Sequence, residues 1–321
     1  MAGFFDELEL RTHEERQEAL ADELPAVIAR ARLAPALARA LRDVDPERIR
    51  SAADLAALPL LRKAELAEAQ RKSPPFGGYA TRRAAEFDNI FLSRAGIYGP
   101  GRQSGNWWRL GRFMHACDIG TGDIVHNCFD YHLTPAGFMI ESGIQAVDAA
   151  VLPAGNAPLE LQVQAARDIG ANAYAGPPAT LKQLLDLADQ QGAPLEITRA
   201  AIAGAPLDDA LRAEYAARGV AARQALVSAD LGLIAYETDE PGAMIVDEGV
   251  IVEILHPETG QPVREGETGE LVVTTLNPDY PLIRFATGDL VAALPGESPC
   301  GRTNMRISGV KGRAPGAMAQ P

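Results

Sequence analysis

Cysteine is scarce. Cys117, Cys128 and Cys300 are the only three among 321 residues, and no two share a CxxC spacing. A sparse, odd count excludes a disulfide framework and points to a reducing, cytoplasmic setting. No HxxxH pair exists. His115, Cys117, His126 and Cys128 lie close in sequence, but 126 and 128 point to one strand face and 115 and 117 share no helix face, so their spacing is not that of a metal site. Basic charge is also short: 30 Lys and Arg against 43 Asp and Glu leave a net charge of −13. That balance argues against duplex nucleic acid as the main partner and against docking on an anionic membrane. A polyphosphate ligand would need Mg²⁺ or a local array of N–H donors. No apolar run reaches the roughly 18–20 residues that span a bilayer, and MAGFFDELELRTHEER is too acidic for a signal or transit peptide. There is no internal repeat and no low-complexity tract.

What is present is a change of period along the chain. Residues 4–42 read as helical, with Leu20, Leu24, Val27 and Ile28 near helical spacing and Pro25 as a candidate break. SPPFGGY at 73–79 is a loop by its Pro and Gly. From residue 88 short apolar strands alternate with helices, and Leu181, Leu184, Leu185 and Ala188 form an i, i+3, i+4, i+7 stripe. Such alternation implies a mostly parallel sheet with flanking helices, an α/β fold. After about residue 240 the signal becomes all-β. GVIVEILH and GELVVTTL flank a polar turn as a long-looped hairpin, and LIRFATGDLVAAL reads as two short strands around a Thr-Gly-Asp turn. The division expected is a helical segment 1–87, an α/β subdomain 88–240, a β-rich subdomain 241–313 and a frayed tail 314–321.

Several segments admit either a chemical or a structural role. The Gly-rich SRAGIYGPGRQSG (93–105) follows a strand and is a phosphate cradle or a surface turn; it fits neither the Walker nor the dinucleotide fingerprint. Asp289 in TGDL can accept hydrogen bonds from a ribose diol or close an Asx-turn. Asp230 lies just past a strand end, where a carboxylate can hold Mg²⁺ on a phosphate or cap a turn. His132 in DYHLTPAG is catalytic or structural. Trp107-Trp108 reads as packing, since no basic residues are interleaved as in a stacking platform.

In this order the segments resemble a known family. FFDELELRTHEER, LPLLRKAEL (58–66), PPFGGYAT, DYHLTPAG, GAPL (204–207), ADLGLIAYET, VEILHPETGQPVREGETGELVVTTL, YPLIRFATGDL and SPCGRTNMRISGVKGRA are similar to segments of the phenylacetate–CoA ligase group of adenylate-forming enzymes, from about Phe5 to Arg313. The resemblance implies the N-terminal core of that fold, mostly parallel sheets flanked by helices plus a small β-rich subdomain, with the C-terminal lid domain absent. It implies ATP-dependent activation of a small or aromatic carboxylic acid to acyl-AMP, with Mg²⁺, then transfer to CoA.

By residue, the resemblance places Asp289 on the ribose and Asp230 on Mg²⁺ and the α-phosphate. It puts Gly204, Ala205 and Pro206 along the adenine, and Ser93, Gly96 and Gly99 in the phosphate loop. Arg284 and Arg302 fall near the nucleotide and hinge. His132, Pro135, Ala136 and Gly137 line the acyl pocket. Ile97 and Tyr98 replace two phosphate-loop threonines, and Leu226-Val227 replaces the Tyr-Gly before the acid. Glu237, Met244 and Ser298 occupy zinc-ligand positions of some relatives, with only Cys300 kept, so no zinc is expected. Pro315 stands at the hinge. Three outcomes follow as expectations: a ligase-like protein, impaired or dependent on a separate protein that supplies the missing domain, a non-catalytic nucleotide- and acyl-binding or scaffold subunit, or a different transferase that uses the core without adenylation. An isologous homodimer is the default assembly.

Overall fold

The computed structural model describes residues 3–103 and 105–317. Of the tail expected at 314–321, residues 318–321 lie outside the described residues, as do Ser104 of the Gly-rich segment and residues 1–2. The early part of the chain contributes helices α1 (His13–Ala31), α2 (Pro35–Ala40) and α3 (Lys63–Lys72), and strands β1 (Leu61–Arg62), β2 (Asn89–Leu92) and β3 (Tyr98–Gly101). Alternation follows: α4 (Gly111–Ala116), β4 (Ile124–Asn127), α5 (Ala136–Gln145), β5 (Ala150–Pro153), α6 (Leu159–Asp168), β6 (Ala173–Gly176), α7 (Pro178–Gln190), β7 (Arg199–Ile202), α8 (Asp209–Ala217), β8 (Ala221–Ser228) and β9 (Gly232–Glu237). The remainder is strand: β10 (Ala243–Val246), β11 (Val250–Leu255), β12 (Thr268–Thr275), β13 (Phe285–Leu294), β14 (Arg306–Ser308) and β15 (Gly312–Arg313). These elements divide into two compact units, one formed by residues 1–6 and 103–244 and the other by 7–102 and 245–321.

The unit centred on 103–244 is the α/β part. Its strands run β5-β4-β6-β7-β8-β9, parallel except for the antiparallel β8–β9 pair. The stripe on α7 behaves as its period requires: Leu181, Leu184, Leu185 and Ala188 are all buried, together with Val163, Tyr174, Ile202 and Tyr215. Each large apolar side chain buried this way contributes about 1.5–3 kcal/mol. Because β4, β6, β7 and β8 are parallel, their carboxyl ends and the loops that follow emerge on one edge, where open α/β sheets bind ligands.

The second unit is built on the antiparallel run β11-β12-β13, with β1 and β15 also pairing β13. Leu24 and Ile28 of α1 pack with Leu37, Leu41, Leu55 and Ile251 into its core. Thr12 starts α1 with a reciprocal cap: Glu15 N–H donates to Thr12 Oγ1 at 3.1 Å and Thr12 N–H to Glu15 Oε2 at 2.8 Å. The break expected at Pro25 does not occur, and α1 runs through it. A proline inside a helix strands the carbonyl four residues earlier, and here Arg50 donates to that carbonyl, Ala21 O, at 3.3 Å.

The hairpin expected at 249–276 forms in the register Val252↔Val273. The Thr-Gly-Asp segment differs from expectation, for it lies inside the single strand β13 rather than between two strands. Between the pairs Val272↔Ala286 and Glu270↔Leu290, β13 advances four residues while β12 advances two. The extra residues bulge, with Gly288 at φ +79° absorbing the kink. Among the described residues no helix is long and apolar enough to cross a membrane.

Candidate functional site

In the α/β unit an apolar cavity of about 110 Å³ opens beyond the carboxyl ends of the strands. Met139 and Ile140, successive core-facing positions on α5, are 2% exposed, as is Ala203 after β7; they make the inner wall. Phe129 after β4, Ala136 at the start of α5, and Gly204, Val227 and Ala229 complete the lining. Two segments singled out in the sequence for different roles therefore meet here, DYHLTPAG through Ala136 and GAPL through Gly204. Of the other acyl-turn candidates, Pro135 is the residue before α5. His132 points to solvent, its Nδ1 2.9 Å from Asp130 Oδ1 with 86% of the side chain exposed. Gly137 is needed for close approach: a Cβ there would lie 2.7 Å from the Tyr131 ring. Ala205 and Pro206 are exposed in the loop after Gly204.

The turn is braced from below. Asn127 Nδ2 donates to Gly137 O at 3.0 Å and to Tyr131 Oη at 2.7 Å, and Tyr131 Oη donates to Glu141 Oε2 at 2.9 Å. Burial, then the Glu141 carboxylate, push the Tyr131 phenol well above its ordinary pKa, so it stays a neutral donor.

Asp230 sits half-buried in the tight turn joining β8 to β9, its N–H donating to Ser228 Oγ at 3.2 Å. Arg109 pins this turn, donating to the carbonyls of Leu231 at 2.7 Å and Leu233 at 2.9 Å. Leu233 N–H donates in turn to Trp108 O at 3.0 Å, and Gly232 admits that contact because a Cβ would lie 2.8 Å from the same oxygen. Trp108 is buried, its ring edge-on to Trp107 at 5.3 Å. Sequence reasoning missed Arg109, and also missed Met139, Ile140 and Phe129 as lining residues. The apolar helix after HLTPAG was the available signal for Met139 and Ile140.

In the other unit the Gly-rich segment is a hairpin, β2 and β3, closed by a short turn. Gly96 N–H donates to Ser93 O at 2.9 Å, Ile97 N–H to Ser93 Oγ at 3.2 Å, and Ser93 N–H to Ile97 O at 2.8 Å. The turn thus spends these donors on itself. Ile97 is buried. Gln70 clamps the backbone of Tyr98 from both sides, accepting from its N–H at 2.7 Å and donating to its carbonyl at 2.8 Å. Gly99 follows within β3.

Asp289 stands at the bulge of β13. Its N–H donates to Thr287 Oγ1 at 3.1 Å, and Arg313 donates to its carboxylate from the paired strand β15. Arg302 lies in a buried ion pair with Glu9 at 2.7 Å, the two side chains 3% and 1% exposed. Arg284 grips Glu253 with two bonds of 2.9 and 2.8 Å and donates to Leu58 O at 2.6 Å. Ala314 N–H donates to Gly288 O at 2.8 Å, so Ala314 is held against the bulge.

The positions compared with zinc ligands have other partners. Glu237 accepts from Arg212 at 2.7 Å and from the N–H groups of Gln224 and Gly242 at 2.8 and 2.7 Å. Cys300 Sγ is 2.9 Å from Ser298 Oγ. Among the described residues no group of three His, Cys, Asp or Glu side chains is placed to hold a metal ion.

No protein-family model matches the chain. Among solved structures, an open conformation of 2-hydroxyisobutyryl-CoA ligase in complex with 2-HIB-AMP and CoA superposes with a TM-score of 0.87, at 23% identity over 95% of this chain and 71% of that one. The apo MatB structure from Rhodopseudomonas palustris gives 0.51, at 18% identity over 70% and 48%. The fold is that of the adenylate-forming ligases.

Phenylacetate-coenzyme A ligases of Aromatoleum evansii and Thermus thermophilus are 29% and 26% identical to the sequence, covering 85% and 84% of this chain and 64% and 63% of their own. The chain is thus similar to phenylacetate-CoA ligases over most of its length, and spans 63% of the Thermus relative's length.

Proposed function

We propose that this chain handles an acyl-adenylate in the manner of an AMP-forming carboxylate–CoA ligase. The observation that carries this reading is the meeting of Ala136 and Gly204 in one apolar cavity, at the sheet edge where α/β proteins bind ligands. The relatives named above, and the neighbour solved with 2-HIB-AMP and CoA, support the same chemistry. The carboxylate attacks the α-phosphorus of ATP, the α–β bridging bond breaks and pyrophosphate leaves. The CoA thiol then displaces AMP from the acyl carbon, giving the thioester and a proton.

In this reading the cavity holds the acyl side chain and the Gly204–Pro206 loop lies along the adenine. Asp289 takes the ribose hydroxyls. Asp230, half-buried in its turn, would hold the Mg²⁺ ion that accompanies the nucleotide phosphates. An ion held there would supply charge neutralisation at the α-phosphate, and the Arg109-held turn would fix the position of the Asp230 carboxylate.

A second reading has a specific observation behind it. The Ser93–Ile97 turn donates its Gly96 and Ile97 N–H groups internally, which favours a protein that binds nucleotide and acid without efficient pyrophosphate release. Pyrophosphate–ATP exchange across a panel of aliphatic and aryl acids separates the two. Acid-dependent exchange supports the ligase. AMP binding without exchange under any acid supports the binding module and excludes the ligase.

A further inference from the structure

We infer that the cavity selects carboxylic acids with a short, unfunctionalised aliphatic side chain and excludes both aryl and 2-hydroxy acids. This rests on the acyl-site reading above and names its substrate class.

Size is the first argument. At about 110 Å³ the cavity is smaller than the roughly 150 Å³ apolar void that accommodates a benzene ring. It suits the short side chain of isobutyrate or isovalerate better than a ring. The walls are set by packing. Met139 and Ile140 are held in the core on α5. The register of β8 against β9 shifts at Leu226–Val227, and Val227 enters the lining directly after that irregularity, a place where strands re-aim side chains. Phe129 faces Gly204 across the cavity, close enough that a Cβ on Gly204 would lie 3.3 Å from its Cε1.

Chemistry is the second argument. The lining residues are Phe, Met, Ile, Val, three Ala and one Gly, so no side chain can pair with a substrate hydroxyl and only backbone groups remain. A buried hydroxyl without a partner is penalised, whereas each extra methylene that fits gains roughly tenfold or more.

The test is ligand-observed NMR titration of the full chain with isovalerate, 2-hydroxyisobutyrate and phenylacetate. The same titrations are run on Met139→Ala and on Val227→Ala, the latter at a half-buried position where folding is least at risk. The inference expects isovalerate to bind wild type at least tenfold more tightly than either other acid, and phenylacetate to gain at least fivefold in one enlarged variant. Phenylacetate binding wild type as well as isovalerate overturns the size argument while the acyl-site reading stands. Equal affinity for 2-hydroxyisobutyrate overturns the chemical argument. No binding of any acid to wild type or either variant overturns the acyl-site reading itself.

Discussion

Gly204 and Phe129 face one another at the apolar cavity, with Gly204 at φ +82° and space for a Cβ only 3.3 Å from Phe129 Cε1. The pair joins the loop after β7 to the segment after β4. Gly204→Ala meets two costs, a left-handed backbone at about 1–2 kcal/mol and a displaced ring. The expected outcome is a melting temperature lower by about 2–4 °C and acid affinity reduced severalfold. Calorimetric melting and acid titration of the variant check it, and an unchanged melt and affinity contradict it.

Arg109 holds the Asp230 turn through two carbonyls. Hydrogen bonds from a charged donor contribute about 1.5–3 kcal/mol each, net of the exchange with water. Arg109→Ala is expected to cost roughly 2–4 kcal/mol in urea unfolding. It should also speed amide exchange at Leu231 and Leu233 more than at Leu184. Uniform acceleration across the unit would show that Arg109 is no more than a general packing residue.

Arg284 and Glu253 form a bidentate pair with side chains 6% and 12% exposed. Removing one partner of such a pair leaves a buried charge, at about 3–5 kcal/mol. Arg284→Met should therefore be strongly destabilising, and adding Glu253→Gln should recover part of the loss. Additive losses in the double-mutant cycle would mean the two residues act independently.

His126 is fully buried, its Nε2–H donating to Gln162 Oε1 at 3.0 Å, and Nδ1 has no hydrogen-bond partner among the described residues. Burial lowers its pKa, with the Gln162 bond opposing in part. The folded protein thus keeps His126 neutral at a pH where the unfolded chain, titrating near about 6.5, takes up a proton. The contribution is full above the unfolded pKa and is lost as pH falls from there toward the lower folded value. His126→Asn should flatten the stability–pH slope just below pH ~6.5, as read by chemical denaturation at a series of pH values. An unchanged slope assigns the acid sensitivity elsewhere.

What could be read in advance follows from where the information lies. The α7 stripe and the 250–275 hairpin are local periodicities, and both appear as read. Whether the helix read over 4–42 would survive Pro25 could not be decided, because the rescue comes from Arg50, 29 residues from the carbonyl it satisfies. The continuity of β13 depends on β12 continuing to pair on either side of the bulge, which the Thr-Gly-Asp turn signal alone cannot show. The site was legible as separate motifs. That Ala136 and Gly204 share one cavity depends on strand order, and Arg109 reaches its carbonyls across 122 and 124 residues.

The claim that the chain binds an adenylate is tested most directly by isothermal titration of AMP into wild type and Asp289→Ala. The account predicts saturable heat with wild type and an affinity at least tenfold weaker in the variant, since the ribose would lose its carboxylate acceptor. No heat with either protein, or equal affinity in both, would contradict it.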